Sequence, residues 1–285
     1  MTIVVAIANQ KGGVGKTTTA VNLAAGLSIK LKHMGDNHRV LLVDMDPQMN
    51  ALMSIAFSSH IAPAEDSLAA LLTESPPPSI QPMLRPARHH RNLFFVPTNG
   101  DALSQARRQL PTLMAPDTRL RVALEPVARS FDFIIIDTPP EAGVLLNNAL
   151  ICATHVLIPV EPAYFAVAGL GTLLETIEMV RRFYDRRDLQ VLGYLPTKVN
   201  ARRPEPKDVL DELHQAFGRE VLNPIHDIKD VSEANAAHMD IFSYRPPRSR
   251  DGGQLESSSP GAQEYARLVE DVYRRTRGAG PGKKG

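Results

Sequence analysis

The segment Asn9-Gln10-Lys11-Gly12-Gly13-Val14-Gly15-Lys16-Thr17-Thr18 constrains this chain more than any other. It follows a short β-branched apolar run, Ile3-Val4-Val5-Ala6-Ile7. It precedes a stretch from Thr17 to Leu31 in which Ala20, Leu23, Ala24 and Leu27 recur at helical spacing. Strand, glycine-rich turn and helix in that order make a phosphate cradle. Glycines let the backbone curl so that successive N–H groups point inward, and the helix N-terminus adds the positive end of its dipole. Gly12, Gly13, Val14, Gly15 and Thr18 supply the cradle, Lys16 reaches the β- and γ-phosphates, and the Thr17 hydroxyl is placed for Mg²⁺.

The rest of the chain alternates strand-like and helical runs. Val40–Val43, Phe94–Val96, Phe133–Ile136, Val156–Val160 and Val191–Leu195 are short and apolar, while Leu170–Phe183, Lys207–Phe217 and Gly261–Arg275 read as helices. Apolar strands separated by helices predict an α/β fold: one doubly wound, mostly parallel sheet with helices on both faces. At 285 residues the chain suits one large domain, expected over 1–277, with a disordered basic tail over 278–285. The stretch from Arg245 to Pro260, rich in Pro, Gly and Ser, is expected to be a mobile loop. The net charge of +1 favours no partner class, although the end from Ser243 onward is mildly basic. The single cysteine, Cys152, excludes a disulfide within the chain and any site needing two thiolates; it is expected in the core. Met1-Thr2 lead straight into the first strand with no basic leader, and no apolar run is long enough to span a bilayer. His89-His90, flanked by Arg88 and Arg91, reads as a solvated basic loop rather than a metal site.

Two acidic elements accompany the loop. Val40–Val43 runs into Asp44-Met45-Asp46-Pro47-Gln48, which places two carboxylates at the strand end that faces the ligand crevice of an open α/β sheet. Phe133–Ile136 ends in Asp137-Thr138-Pro139-Pro140, the Walker B arrangement in which a carboxylate orients Mg²⁺. Hydrolysis also needs a group that positions or deprotonates the attacking water. Either Asp44 or Asp46 stands where that group is needed.

Gln10 occupies the position where the general Walker A pattern has glycine, and Lys11 adds a second lysine. This resembles the deviant Walker A, or signature-lysine, class. Lys11–Thr18, Val43–Gln48 and Ile136–Pro140 are similar to the ParA/Soj group of partition ATPases, as are Val156–Ala166 with Gly169-Leu170, Thr197–Arg202, Ser232–Ala234 and Gly261–Tyr265. The resemblance covers nearly the whole chain. It implies an ATPase using ATP and Mg²⁺, with slow intrinsic turnover, that forms a homodimer when ATP-bound. Lys11 would then cross to the phosphates of the facing subunit, Asp46 would handle the attacking water, and Asp44 would support the Mg²⁺ held by Thr17 and Asp137. Asn200 would contact adenine. The ATP-bound dimer would bind DNA non-specifically, and an adaptor or centromere-binding protein of ParB type would trigger hydrolysis. The small type that the chain resembles lacks an N-terminal helix-turn-helix domain, and the expected location is cytoplasmic and nucleoid-associated, with no membrane partner.

Three positions depart from that family's pattern. Met49 replaces a glycine, the family's Ile-Pro-Arg-Asn run appears as Ile225-His226-Asp227-Ile228 with its arginine lost, and Asp230 stands where a basic residue is usual. Arg202, Arg203, Lys229, Arg245, Arg248 and Arg250 remain as the expected DNA contacts. The same chemistry also suits positioning of a microcompartment or protein cluster. A MinD-like membrane regulator would need an amphipathic C-terminal helix, whereas Arg274 to Gly285 has no apolar face. The nitrogenase iron-protein branch needs two cluster cysteines, and no acceptor site for a metabolic kinase is present.

Overall fold

The computed structural model describes residues 1–56, 62–163, 167–200, 205–245 and 259–278. Its strands are β1 (Ile3–Ile7), β2 (Val40–Asp44), β3 (Arg85–Pro86), β4 (Leu93–Phe95), β5 (Phe133–Asp137), β6 (His155–Val160) and β7 (Gln190–Pro196). The helices are α1 (Lys16–Lys32), α2 (Asn50–Ile55), α3 (Leu68–Thr73), α4 (Gly100–Gln109), α5 (Arg119–Ala128), α6 (Val144–Cys152), α7 (Gly171–Phe183), α8 (Glu205–Phe217), α9 (Lys229–Ala236) and α10 (Pro260–Arg277).

The strands form one sheet in the order β3-β4-β2-β5-β1-β6-β7, parallel throughout except for the β3–β4 pair. Each residue of β1, β2 and β5 is buried, as expected where helices cover both faces. The strand period of two divides the core. Ile3, Val5 and Ile7 face a layer that includes Leu23 and Leu27 of α1 and Leu268 and Val272 of α10. Val4 and Ala6 face the layer of Leu71, Leu103, Leu124, Leu150 and Leu173 from α3 to α7. Along the chain, β1 is followed by β2 on one side of the sheet, and β5 by β6 on the other. The crevice at such a reversal is where α/β sheets hold ligands, and the loop after β1 lies there.

The doubly wound expectation holds, with shifted boundaries. β4 starts one residue before the expected Phe94, and α8 starts at Glu205 rather than Lys207. β3 was not legible as a strand because it has two residues, one of them Pro86; it sits at the sheet edge, where a missing N–H costs little. Helix α1 is buried nearly all round, between the sheet and α10, so it lacks the one-sided stripe of a surface helix. At Gly26 a Cβ would come within 2.5 Å of Val269 and 2.9 Å of Phe242, so only glycine admits this close approach.

Cys152 packs against the core as expected, and burial pushes its thiol up to about 12. The histidine pair differs from expectation. His90 is not solvated: its Nε2 lies 3.0 Å from Asp240 Oδ2, in a carboxylate–imidazole pair that folding brings together across 150 residues. The sequence offered no acid near His90, and the partner comes from a distant turn. No cluster of metal-ligating side chains occurs among the described residues, and no described helix is long and apolar enough to cross a membrane.

Candidate functional site

The loop after β1 is built as a concave backbone turn. Gly13 (φ 77°) and Gly15 (φ 83°) lie in the left-handed region, and Gly15 is the N-cap of α1 with no side chain bonded to the helix N-terminus. The first turn of α1 therefore keeps its N–H groups for an anion. Asn9 anchors the loop's entry: its Nδ2 donates to Pro159 O at 2.7 Å and its Oδ1 accepts from Lys11 N at 2.9 Å. The exit is held from β7's end, where Thr197 Oγ1 donates to Val14 O at 2.8 Å and Lys198 Nζ to Gly13 O at 2.6 Å.

The two loop lysines occupy opposite environments. Lys16 is buried, and its Nζ donates to Lys11 O at 2.9 Å, inside the curl of the loop. Burial pulls its ammonium below the usual lysine range, against the attraction of the Asp137 and Asp46 carboxylates. Lys11 has an exposed side chain.

Beneath the loop the strand ends converge. Asp137 is the register partner of both Ile7 on β1 and Asp44 on β2. Asp44 is nearly fully buried, with Oδ1 accepting from Asp46 N and Oδ2 from Leu52 N, each at 3.0 Å. Burial pushes its carboxyl up to about 7, although those backbone N–H groups favour the charge. Asp46, half-buried, caps the next turn by accepting from Gln48 N at 2.9 Å. Asp137 is fully buried, and neither of its carboxylate oxygens has a hydrogen-bond partner among the described residues. Burial and then the neighbouring Asp44 raise its pKa well above the ordinary carboxylate range, while the Thr17 hydroxyl and the Lys16 ammonium oppose them. An orphaned carboxyl of this kind costs folding free energy, and a cation bound beside it would offset that cost. The donor set fits Mg²⁺, a hard cation held through carboxylate and hydroxyl oxygens.

The structure thus brings Lys11, Gly12, Gly13, Val14, Gly15, Lys16, Thr17, Thr18, Asp44, Asp46 and Asp137 to one end of the sheet. Asn200 lies two residues past Lys198, on a segment joined by Val199 N to Ile225 O at 3.1 Å. His226, on the facing side of that segment, is held by Glu264, which accepts from its N and pairs with its Nδ1. Of the expected DNA contacts, Lys229 is exposed and pairs with Glu233 at 2.8 Å, and Arg245 donates to the carbonyls of Phe242 and Tyr244. Arg202, Arg203, Arg248 and Arg250 lie outside the described residues. The sequence reading gave no role to Asn9 or Lys198, nor to Asn235, whose Nδ2 donates to Thr18 Oγ1 at 3.1 Å. Asn9 could have been suspected from its place between strand and loop; Lys198 and Asn235 come from distant segments.

Residues 2–191 match a family model described as an AAA domain. The chain is 36% identical over 279 residues to the chromosome partitioning protein ParA of Myxococcus xanthus, covering 95% of this chain and 88% of that relative. It is 35% identical over 271 residues to the sporulation initiation inhibitor protein Soj of Bacillus subtilis, covering 94% and 97%. Among solved structures, cobyrinic acid a,c-diamide synthase from Mycobacterium smegmatis with bound ATP analog and magnesium superposes at TM-score 0.74 with 28% identity, over 98% of this chain and 97% of that one. A substituted form of Cyanothece McdA in complex with ATP shares the fold at TM-score 0.77 and 20% identity, over 96% of each chain. This chain belongs to the ParA/Soj family of P-loop ATPases.

Proposed function

We propose that this ATPase is a nucleotide-dependent dimerising switch that binds DNA without sequence preference and drives DNA segregation with a ParB-like adaptor. The observation that carries the reading is Asp137, buried and unpartnered, beneath a loop with one buried and one exposed lysine. ATP binds through the loop's N–H groups and Lys16. Thr17 and Asp137, with Asp44 behind, would hold Mg²⁺, which would supply positive charge for the β- and γ-phosphates. Asp46, at the open end of β2, is the residue assigned to orient the attacking water. Lys11, which its own fold leaves in solvent, is assigned to the triphosphate of a second copy.

The switch is a population shift: ATP stabilises the dimer and ADP does not, so the free-energy difference between the two nucleotides sets how far the equilibrium moves. Slow intrinsic turnover keeps the ATP state long-lived until an adaptor triggers hydrolysis. Relatives above 30% identity include a chromosome partitioning protein and chromosome-partitioning ATPases, which favours a DNA cargo over a protein cluster. The apolar face of α10, with Tyr265, Leu268 and Val272, is buried in the core, so this helix offers no apolar face to a membrane.

The deciding experiment measures binding of random-sequence duplex DNA with ATP, with ADP and without nucleotide, at several salt concentrations. Binding confined to the ATP arm and falling steeply with salt is the expected result. Equal binding in all three arms, or none with ATP, would overturn the reading.

A further inference from the structure

A third lysine meets the phosphate loop from outside it. Beyond β7, Thr197 is buried and tied to Val14 O, while Val199 N donates to Ile225 O at 3.1 Å and Asp227 N to Val199 O at 3.0 Å. Between these two fixed residues Lys198 takes φ 54°, a left-handed conformation that residues with side chains rarely adopt. The consequence is specific. The side chain of Lys198 projects toward the loop, and its Nζ donates to Gly13 O at 2.6 Å.

Gly13 is the place where such a contact has most leverage. It lies at φ 77°, and no other part of the described chain comes within 4 Å of where its Cβ would stand. The free side of Gly13 thus lacks packing, and glycine has the widest backbone freedom of any residue. A carbonyl held outward by a cationic donor keeps the adjoining N–H groups turned inward, which is the orientation a phosphate requires. A backbone strained at one residue and bonded to the glycine turn beside it is what preorganisation of a binding loop looks like.

We propose that Lys198 is a positioning residue of the phosphate loop: its ammonium latches the Gly13 carbonyl, presets the cradle for the triphosphate and prolongs the stay of bound nucleotide. The inference rests on the reading that this loop binds nucleotide.

The test pairs two measurements on Lys198→Gly, Lys198→Arg and the wild type. One is the dissociation rate of a fluorescent ADP with Mg²⁺ by stopped flow; the other is the thermal midpoint of the nucleotide-free protein. Loss of one charge-assisted hydrogen bond predicts roughly tenfold faster release from Lys198→Gly. Glycine adopts the left-handed conformation without strain, which offsets the freedom it adds to the unfolded chain, so the same variant should melt close to the wild-type temperature. Lys198→Arg should retain slow release. Release from Lys198→Gly at the wild-type rate would overturn the latch, and so would a fall in melting temperature accompanying the faster release, which would mark a purely structural role. Lys16→Ala serves as the control for the site itself. If the wild type binds no nucleotide, the functional reading fails and the latch with it; if the wild type binds and only the Lys198 arm fails, the reading stands without the latch.

Discussion

Asp137 is a carboxyl group that folding alone would not select. It is fully buried, has no hydrogen-bond partner among the described residues, and faces Asp44 on the neighbouring strand. A buried acid in that state stays neutral or remains charged at a cost, and either condition weakens the native state relative to an uncharged substitute. Such costs persist where a ligand needs the group. Asp137→Asn should therefore leave the melting temperature of the nucleotide-free protein unchanged or higher. It should also remove the dependence of ATP affinity on Mg²⁺. In the wild type, Mg²⁺ should tighten ATP at least about tenfold, a coupling of roughly 1.4 kcal/mol. Titrating ATP into both proteins in Mg²⁺ and in EDTA checks this. A variant that retained the full Mg²⁺ effect would show that Asp137 is not the metal's carboxylate, and Asp44 would take that place.

At the scale of elements, what the sequence made legible follows from how local each signal is. The strand–loop–helix unit of β1, Asn9–Gly15 and α1 could be read because five apolar residues, three glycines and a helical period lie within thirty residues of each other. Asp44, Asp46 and Asp137 were legible as strand-end acids, whereas the pairing of Asp44 with Asp137 depends on the sheet order and could not be read locally. The turn that closes over α1 was not legible at all. Asn22, inside α1, accepts from Ile241 N at 2.7 Å, and Asp240 accepts from Phe242 N, Ser243 N and the His90 ring. Asp240 joins three elements far apart in sequence, and only the folded chain assembles them. Burial works against its charge, yet hydrogen bonds from His90 and Ser243, with the attraction of the imidazole, hold its carboxyl below the ordinary value of 3.8. The sign follows: an acid with a depressed folded pKa contributes stability that is present above its unfolded value and lost as pH falls through the folded one. Asp240→Asn should destabilise the protein at pH 7 by about 1–3 kcal/mol, the cost of unpairing a buried hydrogen-bonded group. It should also flatten the loss of stability expected of the wild type as pH falls below 3.8, the ordinary value from which the Asp240 carboxyl is lowered. Denaturant melts at pH 7, 4 and 3 measure both, and parallel wild-type and variant curves would remove Asp240 from the acid transition.

At the scale of the whole molecule, the contrast between Lys16 and Lys11 bears on assembly. One chain buries Lys16 within its own loop and leaves Lys11 in solvent, although both flank the same glycines. A lysine needed by its own triphosphate would be expected on the concave side, where Lys16 already is. One that serves a facing copy would instead stand outward until that copy arrives. Two triphosphates brought close across a dimer axis repel each other, more strongly in a water-poor interface than in solution. A cation crossing from each side would offset that repulsion only when nucleotide is present, and ATP would then be a condition of assembly rather than a bystander. Lys11→Ala should therefore keep ATP binding through Lys16 and the loop N–H groups while losing dimerisation. Light scattering with Mg-ATP reads this directly: the wild type should approach twice the 31.2 kDa chain mass, and the variant should stay at one chain. DNA binding, if it needs the dimer, should vanish with it. A Lys11→Ala protein that doubled its mass with ATP as the wild type does would place the assembly contact on another surface and leave Lys11 as an ordinary solvated lysine.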